Sequence, residues 1–131
     1  MGYRSEVHIG VAFANEKDLK EVLAVYTIDP RVQKHNLLQE WELKEDNILY
    51  FYEGYTKWYD SYEAVQGIEH MLDLVESFHS ERDMPIAFRF LRVGEEPTDI
   101  EEREEHGGDD GTLIEKLYDG ITLVRDVEVS L

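Results

Sequence analysis

The order in which two apolar patterns follow each other along the chain constrains its fold more than any other feature. Apolar and small residues alternate over residues 7–13, which predicts a strand with one buried face. A stripe of apolar residues at helical spacing comes next, and both patterns recur further along the chain. The predicted order is strand, helix, two strands, helix, then three or four strands. That order is typical of a ferredoxin-like α+β fold, in which a mainly antiparallel sheet carries two helices on one face.

Two segments are predicted to be helices. The first lies near Asn15–Asp29 and begins at a favourable N-cap, and Pro30 should end it by restricting the residue before it. The second covers Asp60–Ser80, where Asp60 and Glu63 have the spacing of a capping box. Its apolar stripe is the most regular in the chain and consists of Ala64, Ile68, Met71, Leu72, Val75 and Phe78.

The remaining regular segments are predicted to be strands. Glu40–Lys57 has the pattern of a hairpin with a turn at residues 45–47, and residues 48–52 are apolar on both faces, as in a central strand. Alternation over residues 86–91 and 121–131 predicts two more strands, and the extra C-terminal strands would extend the sheet. The second face of the first strand is small, which lets another layer pack closely there, and it carries His8, Gly10 and Ala12.

Composition places the chain among single-domain globular proteins. Its 131 residues are 42% hydrophobic, so residues 1–131 are predicted to form one acidic α+β domain. The absence of cysteine excludes disulfides, thiolate catalysis and cysteine-ligated metals, and it fits a reducing compartment. The first residues lack the layout of a signal peptide, and no apolar run approaches about twenty residues, the length of a membrane span. We therefore expect a cytoplasmic protein without a membrane partner.

The acidic segment, residues 95–110, contains nine carboxylates and one arginine, which gives −8 of the formal net charge of −17. A field of this sign repels nucleic acids and anionic membranes, and it attracts basic proteins. We therefore expect a basic, nucleic-acid-binding protein as partner and no direct binding to nucleic acid. The predicted partner-binding residues are Glu95, Glu96, Asp99, Glu101, Glu102, Glu104, Glu105, Asp109 and Asp110.

The acidic segment can imitate the charge of DNA or RNA if residues 98–105 form an exposed edge strand. Carboxylates two residues apart on a strand then project from one face about 7 Å apart. Asp99, Glu101 and Glu105 would line one face, and Glu102 and Glu104 the other. We expect these groups to be solvated in the free protein, so that exchanging the four glutamates for glutamine or lysine leaves folding intact and abolishes binding. The predicted function is that of a non-catalytic inhibitor that needs no cofactor.

Residues 1–7, Met-Gly-Tyr-Arg-Ser-Glu-Val, resemble the opening of small uncharacterised acidic proteins encoded by bacteriophages and prophages. The resemblance covers these seven residues and includes no catalytic motif. It implies a phage origin and the host cytoplasm as the place of action, where small acidic phage proteins often block host enzymes.

Several other functions remain as alternatives. One is an acidic protein-interaction or toxin-neutralising module that does not imitate nucleic acid. In another, the negative charge only keeps the protein soluble. A small metal-dependent enzyme would use Glu42 and Lys44 in the acid-x-lysine spacing of nucleases, with Asp29 upstream, although a solvated surface pair explains the same residues.

Metal binding and base stacking have weaker support in the sequence. His70 with Asp73 could ligate a metal, and residues 104–111 could bind calcium, but a solvated helix face and a solvated loop are the favoured explanations of these residues. An aromatic platform for single strands would also need a positive groove. Core and sheet packing explains most members of the aromatic group, which are Tyr50, Tyr52, Tyr55, Trp58, Tyr59 and Tyr62.

Overall fold

The computed structural model describes residues 3–96, 98–107, 111–123 and 127–129, which form an α+β domain. The strands are β1 (Ser5–Phe13), β2 (Trp41–Lys44), β3 (Ile48–Thr56), β4 (Ile86–Gly94), β5 (Ile100–Gly107), β6 (Ile121–Leu123) and β7 (Val127–Val129). The helices are α1 (Glu16–Tyr26), α2 (Pro30–Lys34), α3 (Glu63–Arg82) and α4 (Thr112–Gly120), with short 3₁₀ turns at Leu37–Glu40 and Glu45–Asn47.

Five strands form one sheet in the order β2-β3-β1-β4-β5, and every neighbouring pair is antiparallel. This confirms the predicted α+β class and the mainly antiparallel sheet. The hairpin of β2 and β3 is also confirmed, and its turn uses left-handed backbone at Asp46 and Asn47, which these residue types tolerate better than most.

The helices α1 and α3 pack on the same face of the sheet, as the apolar stripes predict. The main core contains Val7, Ile9, Val11 and Phe13 of β1 together with Leu19 and Val22 of α1 and Ile68, Leu72 and Val75 of α3. The helix α4 covers the other face, where Leu113, Ile114 and Leu117 pack with Ala12, Ile48 and Ala87. A β-carbon on Gly10 would lie 2.9 Å from Leu117 Cδ2, so the small face of β1 does admit a close second layer.

The helix boundaries differ from the predicted ones. The first helix ends at Tyr26, and Pro30 then begins the separate helix α2, for which the Asp29 side chain accepts hydrogen bonds from the backbone N–H groups of Arg31 and Val32. Proline suits the first turn of a helix, where its missing N–H is not needed. The predicted capping box at Asp60 is wrong, because α3 begins at Glu63 after a turn closed by a hydrogen bond from Tyr62 N to Tyr59 O.

The C-terminal segment departs most from the prediction. Alternation predicts one strand over residues 121–131 that extends the main sheet, but β6 and β7 pair with each other in a separate two-stranded sheet. Of the extra strands in the described ranges, only β5 extends the main sheet. Because α4 lies across the sheet, Ile121 at its end packs on Tyr50 and Leu91, which places β6 above the sheet rather than at its edge.

Among the described helices, none is both long enough and apolar enough to cross a membrane.

Candidate functional site

The acidic segment folds mainly as β5, and within the described residues this strand forms one edge of the sheet. It pairs with β4 in a register that sets Glu101 opposite Arg92 and Glu104 opposite Arg89. Glu101, Arg103 and Glu105 lie on the side of α1 and α3, and Glu102 and Glu104 lie on the side of α4. The predicted edge strand is present, although it covers Ile100–Gly107 rather than residues 98–105, so Asp99 precedes it. Within the strand, the predicted division of the glutamates between two faces is confirmed.

Arg92 organises the first of these faces. Its Nη1 and Nη2 donate to the Asp99 carboxylate at 3.1 and 2.8 Å, and its Nε donates to Glu101 Oε1 at 3.1 Å. Its Nη1 also donates to Ser5 Oγ at 3.1 Å, which ties the group to β1. The hydrogen bonds from Arg92, with a further one from Tyr3, lower the pKa of Asp99 to about 2, so this acid stays ionised at neutral pH.

Arg103 occupies the same face and interrupts the row of acids. Its guanidinium lies over the Phe90 ring, 4.3 Å from the centroid, and pairs with Glu69 of α3. A weaker contact of 3.4 Å joins its Nε to Glu101 Oε2. The positive charge between Glu101 and Glu105 therefore connects β5 to the helix layer.

Arg89 organises the opposite face. Its side chain is only 7% exposed, its Nη2 donates to Glu102 Oε1 at 3.0 Å, and its guanidinium lies 4.5 Å from the centroid of the Tyr118 ring. Tyr118 in turn donates a hydrogen bond to Glu104, and this carboxylate raises the pKa of the tyrosine hydroxyl. The acids on this face thus bind the sheet to α4.

As expected, Glu102 and Glu104 are exposed to solvent in the free protein, but the sequence did not predict that most acids of this segment are also paired within the chain. Five of the predicted partner-binding residues have partners within the chain for their side chains, namely Glu95, Asp99, Glu101, Glu102 and Glu104. Glu96 and Glu105 have none among the described residues, and Asp109 and Asp110 lie outside these residues. Sequence reasoning missed the three arginines of β4 and β5, although a hairpin over residues 86–107 would have placed arginine opposite glutamate.

Most lysines and arginines of the described residues form ion pairs with acidic side chains. Of the twelve lysines and arginines in the described ranges, nine lie within ion-pairing distance of an acid, and Arg4, Lys17 and Lys57 do not. The chain has 30 acids and 13 lysines and arginines in total, so many carboxylates keep their charge uncompensated. The folded surface therefore keeps the negative field that the sequence predicts.

The residues of the alternative nuclease site have other roles. Lys44 Nζ lies 3.1 Å from Glu42 Oε1 on the edge strand β2, as an exposed surface pair would. Asp29 caps α2 and pairs with Arg31 at 3.1 Å, and these hydrogen bonds lower its pKa to about 2. His70 faces Asp29 at 3.5 Å rather than forming a site with Asp73. Within the described part of the chain, no group of three or more His, Asp or Glu side chains is arranged to hold a metal.

The aromatic residues are divided between core and surface. Tyr50 is buried and its hydroxyl lies 2.7 Å from His8 Nδ1, and Trp58 packs against Phe51 and Phe90. Three others remain exposed and could contribute to an interface, and they are Tyr52, Tyr55 and Tyr62.

Comparison with known proteins adds no assignment, because no protein-family model, no curated protein and no solved structure shows significant similarity to this chain.

Proposed function

We propose that this protein is a non-catalytic acidic binding protein whose partner is a basic, nucleic-acid-binding protein. The observation that carries the proposal is the excess of carboxylates on a surface where nine of the twelve described lysines and arginines are already paired. Such a surface repels phosphates and accelerates encounter with a basic protein. Because the acids outnumber the cations by 30 to 13, the attraction does not depend on any single residue.

The edge strand β5 is the surface that we assign to this contact. Arg92 and Arg89 hold the carboxylates of Asp99, Glu101 and Glu102 in defined positions. An ionised carboxylate offers about four acceptor sites, so a paired acid can still accept a hydrogen bond from an incoming arginine. Groups that are held in place before binding lose less side-chain entropy when the complex forms.

More specifically, we propose that the protein imitates the charge of DNA or RNA. It would then block a host protein, as a phage-type inhibitor does. The spacing of acids along an extended strand and the resemblance of residues 1–7 to phage proteins support it. An acidic interaction module without mimicry is the second candidate. Arg103 favours this candidate, because a cation between Glu101 and Glu105 has no counterpart in a row of phosphates.

We also propose that the sheet and its two long helices form a ferredoxin-like unit. The strand order β2-β3-β1-β4, the antiparallel pairing and the position of α1 and α3 on one face support this assignment. In this view β5, α4 and the hairpin of β6 and β7 are additions to the unit. An experimental structure with α1 and α3 on opposite faces of the sheet would contradict it.

Affinity capture from a nuclease-treated bacterial lysate, followed by elution with duplex DNA, tests the proposed function. The test variant Glu96→Gln/Glu104→Gln/Glu105→Gln removes three charges from the β5 edge and leaves the arginine pairs intact. The matched control Glu42→Gln/Glu45→Gln/Asp46→Asn removes three charges from the opposite edge, around β2.

We expect the wild-type protein and the control to capture a basic protein that duplex DNA releases, and we expect the test variant to lose it. If the captured protein stays bound during the DNA wash and is released only by salt, the result would contradict mimicry and favour the second candidate. Direct binding of DNA in a mobility-shift assay, or equal capture by both variants, would contradict the assignment of β5.

A further inference from the structure

A cavity of about 510 Å³ lies away from β5, among the end of β3, the start of α3 and the 3₁₀ turn at Leu37–Glu40. Sites for small organic ligands have volumes of roughly 300–1,000 Å³, so the cavity has a suitable size. Its apolar wall includes the buried side chains of Phe51, Val65 and Ile68 together with the half-buried ring of Trp58.

Four charged side chains line this cavity without forming ion pairs within the described ranges. Arg4 and Lys57 are two of the three described cations that lack an acid within ion-pairing distance, and both contribute to the lining. Glu40 and Glu53 also line the cavity, and neither has an ion-pair partner among the described residues. Although charges of both signs border one space, no nitrogen of the cations lies within 4.0 Å of an oxygen of these acids. On a surface where most cations are paired, this separation is unusual.

Two further observations concern residues that line this cavity. Burial, with a smaller contribution from the neighbouring charge of Glu40, raises the pKa of Glu53, as expected for a carboxylate that lacks a cation. The indole Nε1 of Trp58 is buried and has no hydrogen-bond partner among the described residues. A buried donor without an acceptor is unfavourable, and native proteins contain few of them.

We propose that this cavity binds a small zwitterion with an apolar body, of the chemical class of an aromatic α-amino acid. The ammonium group of the ligand lies against Glu53 and Glu40, and its carboxylate lies against Arg4 and Lys57. Its ring packs on Phe51 and Trp58. The inference does not depend on the function proposed for β5, because the two surfaces use different residues.

Isothermal titration calorimetry of the intact wild-type protein with three ligands tests the inference. L-Phenylalanine carries both charges, 3-phenylpropionate lacks the ammonium group, and phenethylamine lacks the carboxylate. We expect phenylalanine to bind and each analogue to bind about tenfold more weakly or worse, because each leaves one charged pair of the cavity without a partner. Equal affinity for all three compounds, or no binding of phenylalanine at millimolar concentration, would overturn the proposal.

Charge-removing variants assign each contact. Glu53→Gln should weaken the binding of phenylalanine about tenfold. It should leave the affinity for 3-phenylpropionate unchanged, because that analogue has no ammonium group that could contact Glu53. Lys57→Gln should weaken the binding of phenylalanine and leave the affinity for phenethylamine unchanged, because phenethylamine has no carboxylate that could contact Lys57. The matched controls Glu45→Gln and Lys17→Gln change the same charges outside the cavity and should have no effect on any ligand.

A variant that binds all three ligands more weakly by the same factor would show that the replaced side chain supports only the shape of the cavity. This would contradict the charge pairing proposed here. Circular dichroism establishes that each variant is folded. If one is not, the comparison of the three ligands on the wild-type protein decides the question alone.

Discussion

At the scale of single residues, Arg89 shows how the acidic strand depends on the rest of the fold. The residue is 6% exposed, and its guanidinium is held by Glu102 on one side and the Tyr118 ring on the other. Its Nε is buried and has no hydrogen-bond partner among the described residues. A buried guanidinium with one carboxylate partner leaves the fold sensitive to the loss of that partner.

We therefore predict that Glu102→Gln lowers the free energy of unfolding by about 1–3 kcal/mol, because it leaves a buried charged donor poorly satisfied. A urea titration measures the change. The control is Glu45→Gln, at an exposed glutamate of the turn before β3, which should stay within about 0.5 kcal/mol of the wild type. Equal stability of both variants would show that Arg89 does not need Glu102.

Asp29 gives a second prediction at this scale, which concerns pH. Hydrogen bonds from Arg31, with a smaller effect of His70, lower the pKa of Asp29 to about 2 in the folded chain, and its side chain is 12% exposed. Since the folded pKa lies below the unfolded value of about 3.9, the stabilisation is complete above pH 4 and is lost as the pH falls toward 2.

We expect this carboxylate to contribute about 2 kcal/mol at neutral pH, because a tenfold change in a proton-binding constant corresponds to about 1.4 kcal/mol. Urea titrations between pH 5 and pH 2 should show a shallower loss of stability for Asp29→Asn than for the wild type. An identical slope for both proteins would contradict the role of this carboxylate.

At the scale of elements, the packing of α4 on β1 depends on a missing side chain. A β-carbon on Gly10 would lie 2.9 Å from Leu117 Cδ2 and 3.1 Å from Ile121 Cδ1, and Leu117 is fully buried. Gly10→Val should therefore cost about 1–3 kcal/mol through overpacking. Adding Leu117→Ala should recover part of that loss, because the two side chains compete for one space. Additive losses in a double-mutant cycle of urea titrations would place Gly10 outside this contact.

The helix α3 supplies the prediction that follows most directly from sequence periodicity. Ile68 and Leu72 are 3% and 2% exposed and belong to the main core, as their helical spacing predicts. Leu72→Ala should lower the free energy of unfolding by about 2–5 kcal/mol. Glu76→Ala, at an exposed position of the same helix, is the control and should have an effect below about 0.5 kcal/mol. Similar losses in a denaturant melt would show that the stripe is not the buried face.

The elements that the sequence predicts well are those with a regular apolar stripe in the main core. This holds for β1, α1 and α3, although β1 is also buried on its other face, under α4. It fails for residues 121–131, because their alternation is compatible both with an edge strand of the large sheet and with the hairpin of β6 and β7. The position of Ile121 after α4, on Tyr50 and Leu91, decides between them, and a local period carries no information about such a long-range contact.

The candidate site shows the same limit at the scale of the whole molecule. Composition predicts the negative field correctly, because a sum of charges does not depend on where each residue lies. The pairing of individual charged side chains depends on contacts across the fold, such as the one between Arg103 on β5 and Glu69 on α3. The charged and aromatic cavity at Trp58 likewise joins residues 4, 40, 53 and 57, which no sequence motif connects.

The last prediction concerns the net charge of −17 on the folded chain. Compaction brings uncompensated carboxylates together, and their repulsion extends about 30 Å at 0.01 M salt but about 8 Å at physiological ionic strength. Salt also weakens the ion pairs, but exposed pairs contribute only about 0–1 kcal/mol each. We therefore expect Tm to rise as sodium chloride increases from about 0.01 to 0.15 M, over which this screening length shortens.

Differential scanning calorimetry measures this rise. The variant Glu96→Gln/Glu104→Gln/Glu105→Gln, which removes three negative charges, should show a higher Tm at low salt and a smaller rise, because less repulsion remains to be screened. A Tm that falls steadily with salt in both proteins would show that pairs such as Arg92 with Asp99 outweigh the repulsion among the remaining acids.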